Sequence, residues 1–432
     1  MIFGFGSNDD YDDEEEELEL VTFQGALNGK KPDVKANGRL MEIGLVPAKE
    51  IVSDAMLRRA ETVRVETKGS AAVVRLYIDG IAYPGGRLPK QEAHAITQML
   101  KLLAGLNVKQ RKARQKGGIK AEFQDTPYQV LVETEPTPAG VERLTIRVRN
   151  LKQSVETPDE LGFSETMKEK LREMAANRSG VILACGVPGS GTTSTRFGIA
   201  RSVDAYMYSV YTIGDLESRE IPYTTEFEVK EGDDLETTIQ RVIRIDADVI
   251  FADAMSDAET AKIIFAKQKE IAFISEFAAR DTAQGLAKLL EWVGDPQIVV
   301  DGLHAIVSQK LLRVLCNDCK QAFRPNPKLL KKVGLPPKTK VLYRPGQPDP
   351  EDPEDEPCEV CGGLGYFGRA GMFEMLEMTD GMREAILGGA DVAAIKSKMR
   401  EERMPSFQSE GLRLVAEGRT SLDELQRTFK SK

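Results

Sequence analysis

Histidine is almost missing from this chain. Two occur in 432 residues, His94 and His304, each inside an apolar stretch read as helical. Chemistry that relies on imidazole is therefore not expected, and both are read as structural. No run approaches the ~18 consecutive apolar residues of a membrane span. The N-terminus MIFGFGSNDD has neither a basic segment nor an apolar one of the secretory kind, so a cytoplasmic location is expected, with docking on a membrane complex left open. Positive charge is not in excess: the formal net charge is −9, so a general nucleic-acid binder is not expected. Part of that charge lies in DDYDDEEEELEL and PDPEDPEDEP, so the remaining surface is closer to balance. Cysteine is scarce as well. Of the five, four form two C-x-x-C pairs, a pattern that suits a reducing compartment and a metal better than disulfides.

What is present is ordinary globular material, with 41% hydrophobic and 29% charged residues and room for roughly two to four domains. Residues 1–35 read as an acidic disordered tail. Residues 40–150 have an α+β pattern: MEIGLVPAKEIVSDAMLRRA is helical, AAVVRLYIDG alternates like a strand and ends in an Asp-Gly turn, and QEAHAITQMLKLLAGL is an amphipathic helix closed by glycine. The basic stretch KQRKARQKGGIK is either a solvated face or a source of arginines that approach a phosphate held elsewhere. YQVLVETEPTPAGVERLTIRVR reads as a strand pair. After a polar linker, residues 160–432 begin with the strand and helix alternation of an α/β domain. Helices are expected over 161–176 and 191–203, and strands over 181–185 and 209–213. Asp248 to Asp253 reads as an apolar strand with a terminal carboxylate.

The stretch with most chemical content is VILACGVPGSGTTST, residues 181–195. An apolar strand leads into glycines at 186, 189 and 191, then hydroxyl residues open a helix. That is the layout of a phosphate-binding loop, whose amides converge on phosphate oxygens at a helix N-terminus. Gly186, Gly189, Ser190, Gly191, Thr192, Thr193 and Ser194 are the candidate cradle, with Thr193 a candidate Mg²⁺ ligand. The lysine expected after Gly191 is Thr192, so the cation that would reach the outer phosphates of ATP is missing. A glycine-rich turn without a ligand is the alternative. In the C-terminal third, Cys316, Cys319, Cys358 and Cys361 have the pairing of a tetrahedral zinc site, although the gap of residues 320–357 is long for a zinc ribbon. Cys185 is assigned to the core. Residues 376–432 are helical and charged.

Seven segments in order resemble the family of secretion ATPases that power type II secretion and type IV pilus assembly. They are VRLYIDG (74–80), LLAGLNVKQRKARQKGG (102–118), VETEPTPAG (132–140), GVPGSGTTST (186–195), DADVIFADAMSDAETA (246–261), VSQKLLRVLCNDCK (307–320) and CEVCGGLGYFGRAGMFEML (358–376). The resemblance implies a PAS-like N-terminal domain and a RecA-like ATPase domain with a tetracysteine zinc module at about 310–375. It also implies a homo- or hetero-hexameric ring, inner-membrane platform proteins as partners, and ATP with Mg²⁺. This chain begins almost at the PAS-like domain, so attachment through the additional N-terminal domain of longer relatives is not expected.

Departures from the family pattern gather where chemistry belongs. Thr192 replaces the lysine. Gly214 replaces the glutamate of the aspartate box, leaving Asp215. Asp253-Ala254 replaces the Gly-Glu of the Walker B segment, and Ser256 an arginine. Ile271 and Ala278 stand for the two histidines, and Tyr77 for the second of two arginines, whereas Arg75 and Arg111 match arginines implied to reach nucleotide. Asp253, Asp215, Arg75 and Arg111 are the remaining catalytic candidates. Losing one charge-assisted bond, worth about 1.5–3 kcal/mol, weakens binding. Losing a preorganised catalytic group costs about 10²- to 10³-fold in rate. The expected function is a scaffold or regulatory subunit that binds nucleotide at most, with an active motor using re-sited groups as the alternative.

Overall fold

The computed structural model describes residues 19–33, 36–138, 140–152, 157–214, 216, 221–230, 232–346, 348 and 356–430. The chain forms two compact units, the first running to Ser154 and the second from Val155.

The first unit is an antiparallel sheet of seven strands with two helices. In chain order these are β1 (Thr22–Ala26), α1 (Gly38–Leu57), β2 (Thr62–Lys68), β3 (Ala71–Ile78), β4 (Ile81–Pro89), α2 (Lys90–Leu103), β5 (Gln115–Phe123), β6 (Thr126–Pro136) and β7 (Glu142–Asn150). The sheet order is β1-β5-β6-β7-β2-β3-β4. Strict alternation in β3 sends Ala72, Val74, Leu76 and Ile78 into the core. Asp79 (φ 51°) and Gly80 (φ 79°) then take the left-handed pair that reverses the chain into β4. The amphipathic α2 is pinned by a buried ion pair: Lys101 Nζ lies 2.6 Å from Glu142 Oε1 at the start of β7, with the two side chains 0% and 4% exposed. The same ammonium donates to the Gln110 carbonyl at 2.6 Å and so anchors the basic stretch after α2.

Part of the expected tail is structured. Residues 1–18 lie outside the described ones, but Thr22–Ala26 form β1, which pairs antiparallel with β5 from Thr22↔Glu122 to Ala26↔Ile119. An edge strand finds its hydrogen bonds in the neighbouring strand, so short apolar content suffices there.

The second unit opens with α3 (Pro158–Leu161) and α4 (Glu165–Ala175), followed by β8 (Gly180–Gly186), α5 (Thr192–Ser202), β9 (Val210–Ile213) and β10 (Thr225–Glu226). Next come α6 (Leu235–Ile243), β11 (Val249–Ala252), α7 (Ala258–Lys267), β12 (Ala272–Ala278), α8 (Thr282–Val293), α9 (Pro296–Gly302) and β13 (Leu303–Leu315). The C-terminal part adds β14 (Gln321–Phe323), α10 (Pro327–Val333), β15 (Leu342–Arg344), β16 (Tyr366–Glu377), α11 (Asp380–Leu387), α12 (Val392–Glu401), α13 (Phe407–Ala416) and α14 (Leu422–Lys430). The main sheet runs β10-β9-β11-β12-β8-β13-β16, parallel except for β16. Its central strands are buried on both faces, hence their unbroken apolar sequences. One layer packs Val181, Leu183 and Phe273 with α7, α8 and α9, while the other packs Ile182, Ile274 and Phe251 with α4 and Phe197 of α5.

Two expectations need correction here. The helix expected over 161–176 is broken at Gly162 (φ 87°), where α3 ends, and restarts after the Ser164 cap. His304 lies on the strand β13, not on a helix; its Nε2 is 2.8 Å from the Ser179 carbonyl, in keeping with a structural role. Among the described residues no helix is long and apolar enough to cross a membrane.

Candidate phosphate-binding site and metal centre

β8 ends at Gly186 and α5 begins at Thr192, so the glycine-rich loop joins the carboxyl end of a central strand to a helix N-terminus. Gly191 is the helix cap at φ 90°, and a Cβ there would fall 2.7 Å from Gln309 Nε2. Only glycine satisfies both constraints. Gln309, on the neighbouring strand β13, is also hydrogen-bonded by Thr195 Oγ1, which ties the first turn of α5 to the sheet. Thr192 does not reach outward as a lysine would. Its hydroxyl shares a 3.0 Å hydrogen bond with Ser190 Oγ, and both oxygens lie over Gly186, where a Cβ would meet them at 2.2 and 2.3 Å. The loop therefore keeps its backbone shape while its side chains bond to one another.

Behind the loop lies a charged cluster that motif reading overlooked. Thr193 Oγ1 donates to Glu276 Oε1 of β12 at 3.0 Å. Arg196, one turn further along α5 and 3% exposed, places Nε 3.6 Å from Glu276 Oε2 and Nη1 3.9 Å from Asp253 Oδ1. The same guanidinium donates to the Ala252 carbonyl at 2.8 Å and stacks 4.5 Å over the Phe251 ring. The signal available in sequence was a lone carboxylate inside the apolar run AFISEF, and an arginine opening the apolar half of α5.

Asp253 follows β11, the position foreseen for a terminal carboxylate. Its carboxylate lies against Gly214 (φ 105°), where a Cβ would meet Oδ2 at 2.1 Å. The two departures at 214 and 253 are thus steric complements: the carboxylate occupies space that a side chain at 214 would need. Asp215 lies outside the described residues. Ala254, the residue after Asp253, is exposed, and Ser194 sits in the first turn of α5. Arg75 and Arg111 belong to the first unit. Arg75 pairs with Glu66 at 3.4 Å, while Arg111 is exposed in the basic stretch anchored through Gln110. The gathered residues are therefore Gly186 to Ser194, Arg196, Asp253 and Glu276.

Cys316, Cys319, Cys358 and Cys361 form the second site. Their sulfurs all lie within 4.8 Å of one another, with 3.9 Å between Cys316 and Cys358 and 3.7 Å between Cys319 and Cys361. A tetrahedral thiolate site with ~2.3 Å zinc–sulfur bonds has sulfurs ~3.8 Å apart, so the donor set fits zinc. The Gly365 amide donates to Cys361 Sγ at 3.2 Å, a bond that orients this sulfur within the cluster. Cys185 is fully buried in β8, and burial pushes its thiol up to about 12, as befits a core residue.

The profile of the family described as type II/IV secretion system protein matches residues 41–427. This chain belongs to that family. It is 29% identical over 383 residues to the type IV pilus assembly ATPase PilB of Thermus thermophilus, covering 87% of this chain and 42% of that protein. Against the type II secretion system protein E of Xanthomonas campestris pv. campestris it is 25% identical over 383 residues, covering 87% and 66%. The chain thus spans between about two-fifths and two-thirds of these relatives. Its fold is similar to that of the ATPase DotB of Yersinia pseudotuberculosis, with a TM-score of 0.54, 13% identity, and 96% and 99% of the two chains covered. It is likewise similar to the pilus retraction motor PilT with bound ADP, with a TM-score of 0.52, 15% identity and coverage of 88% and 96%. At such identities the structures speak to fold alone.

Proposed function

We propose that this chain is a subunit of a type II secretion or type IV pilus assembly machine, with a phosphate-binding loop that binds nucleotide at most and hydrolyses it little or not at all. The single observation that carries the reading is Thr192. The residue in the place of the loop's lysine is too short to reach outer phosphates, and its hydroxyl is bonded to Ser190 instead. Arg196, one turn along the helix that the loop opens, is buried and already engaged by Ala252, Glu276 and Asp253. Ala254 adds no carboxylate to orient water. Residues 40–150 are read as the PAS-like domain and 160–432 as the RecA-like domain. The four cysteines hold a structural zinc. The subunit sits in a homo- or hetero-hexameric ring at an inner-membrane platform and acts there as scaffold or regulator.

The test is steady-state phosphate release by the purified chain beside Thr192→Lys combined with Ala254→Glu. The unmodified chain should stay at background, and the double variant should rise above it. The exposure of Ala254 leaves room for the added side chain. Brisk release from the unmodified chain would replace this reading with a motor that has re-sited its catalytic groups, Asp253 among them.

A further inference from the structure

Glu276 breaks the logic of its own strand. Ala272 and Ile274, which share its side of β12, pack into the apolar layer with Phe197 and Phe251. The next residue on that side is a carboxylate, 14% exposed, hydrogen-bonded at Oε1 by Thr193 and with Oε2 3.6 Å from Arg196 Nε. Thr193 and Arg196 are three apart on the helix, so they present one face to it. Register places Glu276 beside Ala184 of β8, two residues before the loop opens. A strand this buried carries a charge only where something answers it.

A threonine hydroxyl has one proton to give and two lone pairs to offer. Because Thr193 gives its proton to Glu276, its lone pairs are left for an electron-poor partner. Oxygen donors of this hard type suit Mg²⁺, and the threonine at this point of a phosphate-binding loop is the residue that ligates it. Of the two carboxylates around Arg196, Asp253 is 57% exposed and screened by water, so Glu276, at 14%, is the one whose charge bears on the loop, and Thr192 adds none. A metal-free nucleotide therefore brings its negative charge to a cradle in which Thr192 supplies no cation and a carboxylate stands behind Thr193. The Mg²⁺ complex brings its own positive charge to that carboxylate.

We propose that Glu276 is a positioning residue that restricts this loop to Mg²⁺-complexed nucleoside polyphosphate by orienting the Thr193 hydroxyl and disfavouring the metal-free anion. The inference rests on the reading of the loop as a nucleotide site, and it is independent of whether turnover occurs.

The experiment titrates the full chain with a fluorescent ATP analogue in excess Mg²⁺ and in excess EDTA, for the unmodified chain, Glu276→Gln and Thr193→Ala. Intact folding of each is checked by the melting transition seen through Trp292. The unmodified chain should bind at least about tenfold more tightly with Mg²⁺ than without, the worth of one charge-assisted contact. Glu276→Gln should move the two arms in opposite directions, weaker with Mg²⁺ and tighter in EDTA. Thr193→Ala should bring the Mg²⁺ arm down toward the EDTA arm. A merely structural Glu276 would shift both arms the same way, and a carboxylate that simply plugs the loop would give tighter binding in both. Either result, or no binding to the unmodified chain in Mg²⁺, overturns the proposal. Phosphate release from the same samples separates the two readings, since turnover contradicts the proposed function without touching the Mg²⁺ dependence.

Discussion

Arg196→Met should destabilise the second unit by about 3–5 kcal/mol, because it removes one partner of a buried pair and leaves the other uncompensated. Arg196 is 3% exposed and Glu276 14%, and they lie 3.6 Å apart. Asp253, 57% exposed at 3.9 Å, adds little because water screens it. The loss has two separable parts. The Ala252 carbonyl loses its 2.8 Å donor, at about 1–3 kcal/mol, and Glu276 loses its countercharge. In a Glu276→Thr background only the first part remains, so the coupling between the two substitutions should be about 2 kcal/mol. The assay is urea unfolding followed through Trp292, the only tryptophan in the chain. That residue lies on α8 in the second unit, with Lys288 Nζ 4.3 Å from its ring centroid and Phe277 beside it at 6.1 Å. Equal costs for Arg196→Met in both backgrounds would refute the claim that the guanidinium is there to neutralise Glu276.

Other outcomes follow from the same physics. Glu142→Gln strands the buried Lys101 ammonium and should cost the first unit about 3–5 kcal/mol, with much of it recovered when Lys101→Met is added; thermal melts of the two variants decide it. Burial alone would lift the Glu424 carboxyl, but hydrogen bonds from Arg427 and Arg313 outweigh it and hold the group at about 2. A depressed carboxylate stabilises the fold above its unfolded value near 4.5 and loses that effect as pH falls toward about 2. Allowing for solvent around Arg427, 39% exposed, the contribution is about 2 kcal/mol. The stability gap between the unmodified chain and Glu424→Gln should therefore close across that window, and a constant gap in acid titrations contradicts it. Purified protein should carry one zinc per chain by elemental analysis. Chelation or Cys358→Ser should loosen the region of β14, α10 and β15, read as faster amide exchange there and unchanged exchange in β11 and β12.

Much of the candidate site was legible because it is local. A strand, three glycines and a hydroxyl-rich helix start are contiguous, and each C-x-x-C pair is set by a tight turn. The bounds of β8, α5 and β11 fall within two residues of those read from apolar runs and glycine positions. What escaped notice is non-local. Glu276 is remote in sequence from Thr193 and meets it only because β12 inserts beside β8 in the sheet, an order no single motif encodes. Gly214 and Asp253 likewise looked like two independent losses, and their steric fit appears only when β9 and β11 are paired. The edge strand β1 was masked by the acidic stretch before it, and β13 by a periodicity that suits helix and strand alike.

The most direct test of the central claim is phosphate release by the unmodified chain under saturating ATP and Mg²⁺, normalised to protein and compared with an active pilus or secretion ATPase. The account predicts a rate at least about 10²-fold below that of the active enzyme, since the proposed function has Thr192 in the place of the loop cation and Ala254 in that of the water-orienting carboxylate. A rate within a few-fold of the active enzyme contradicts it.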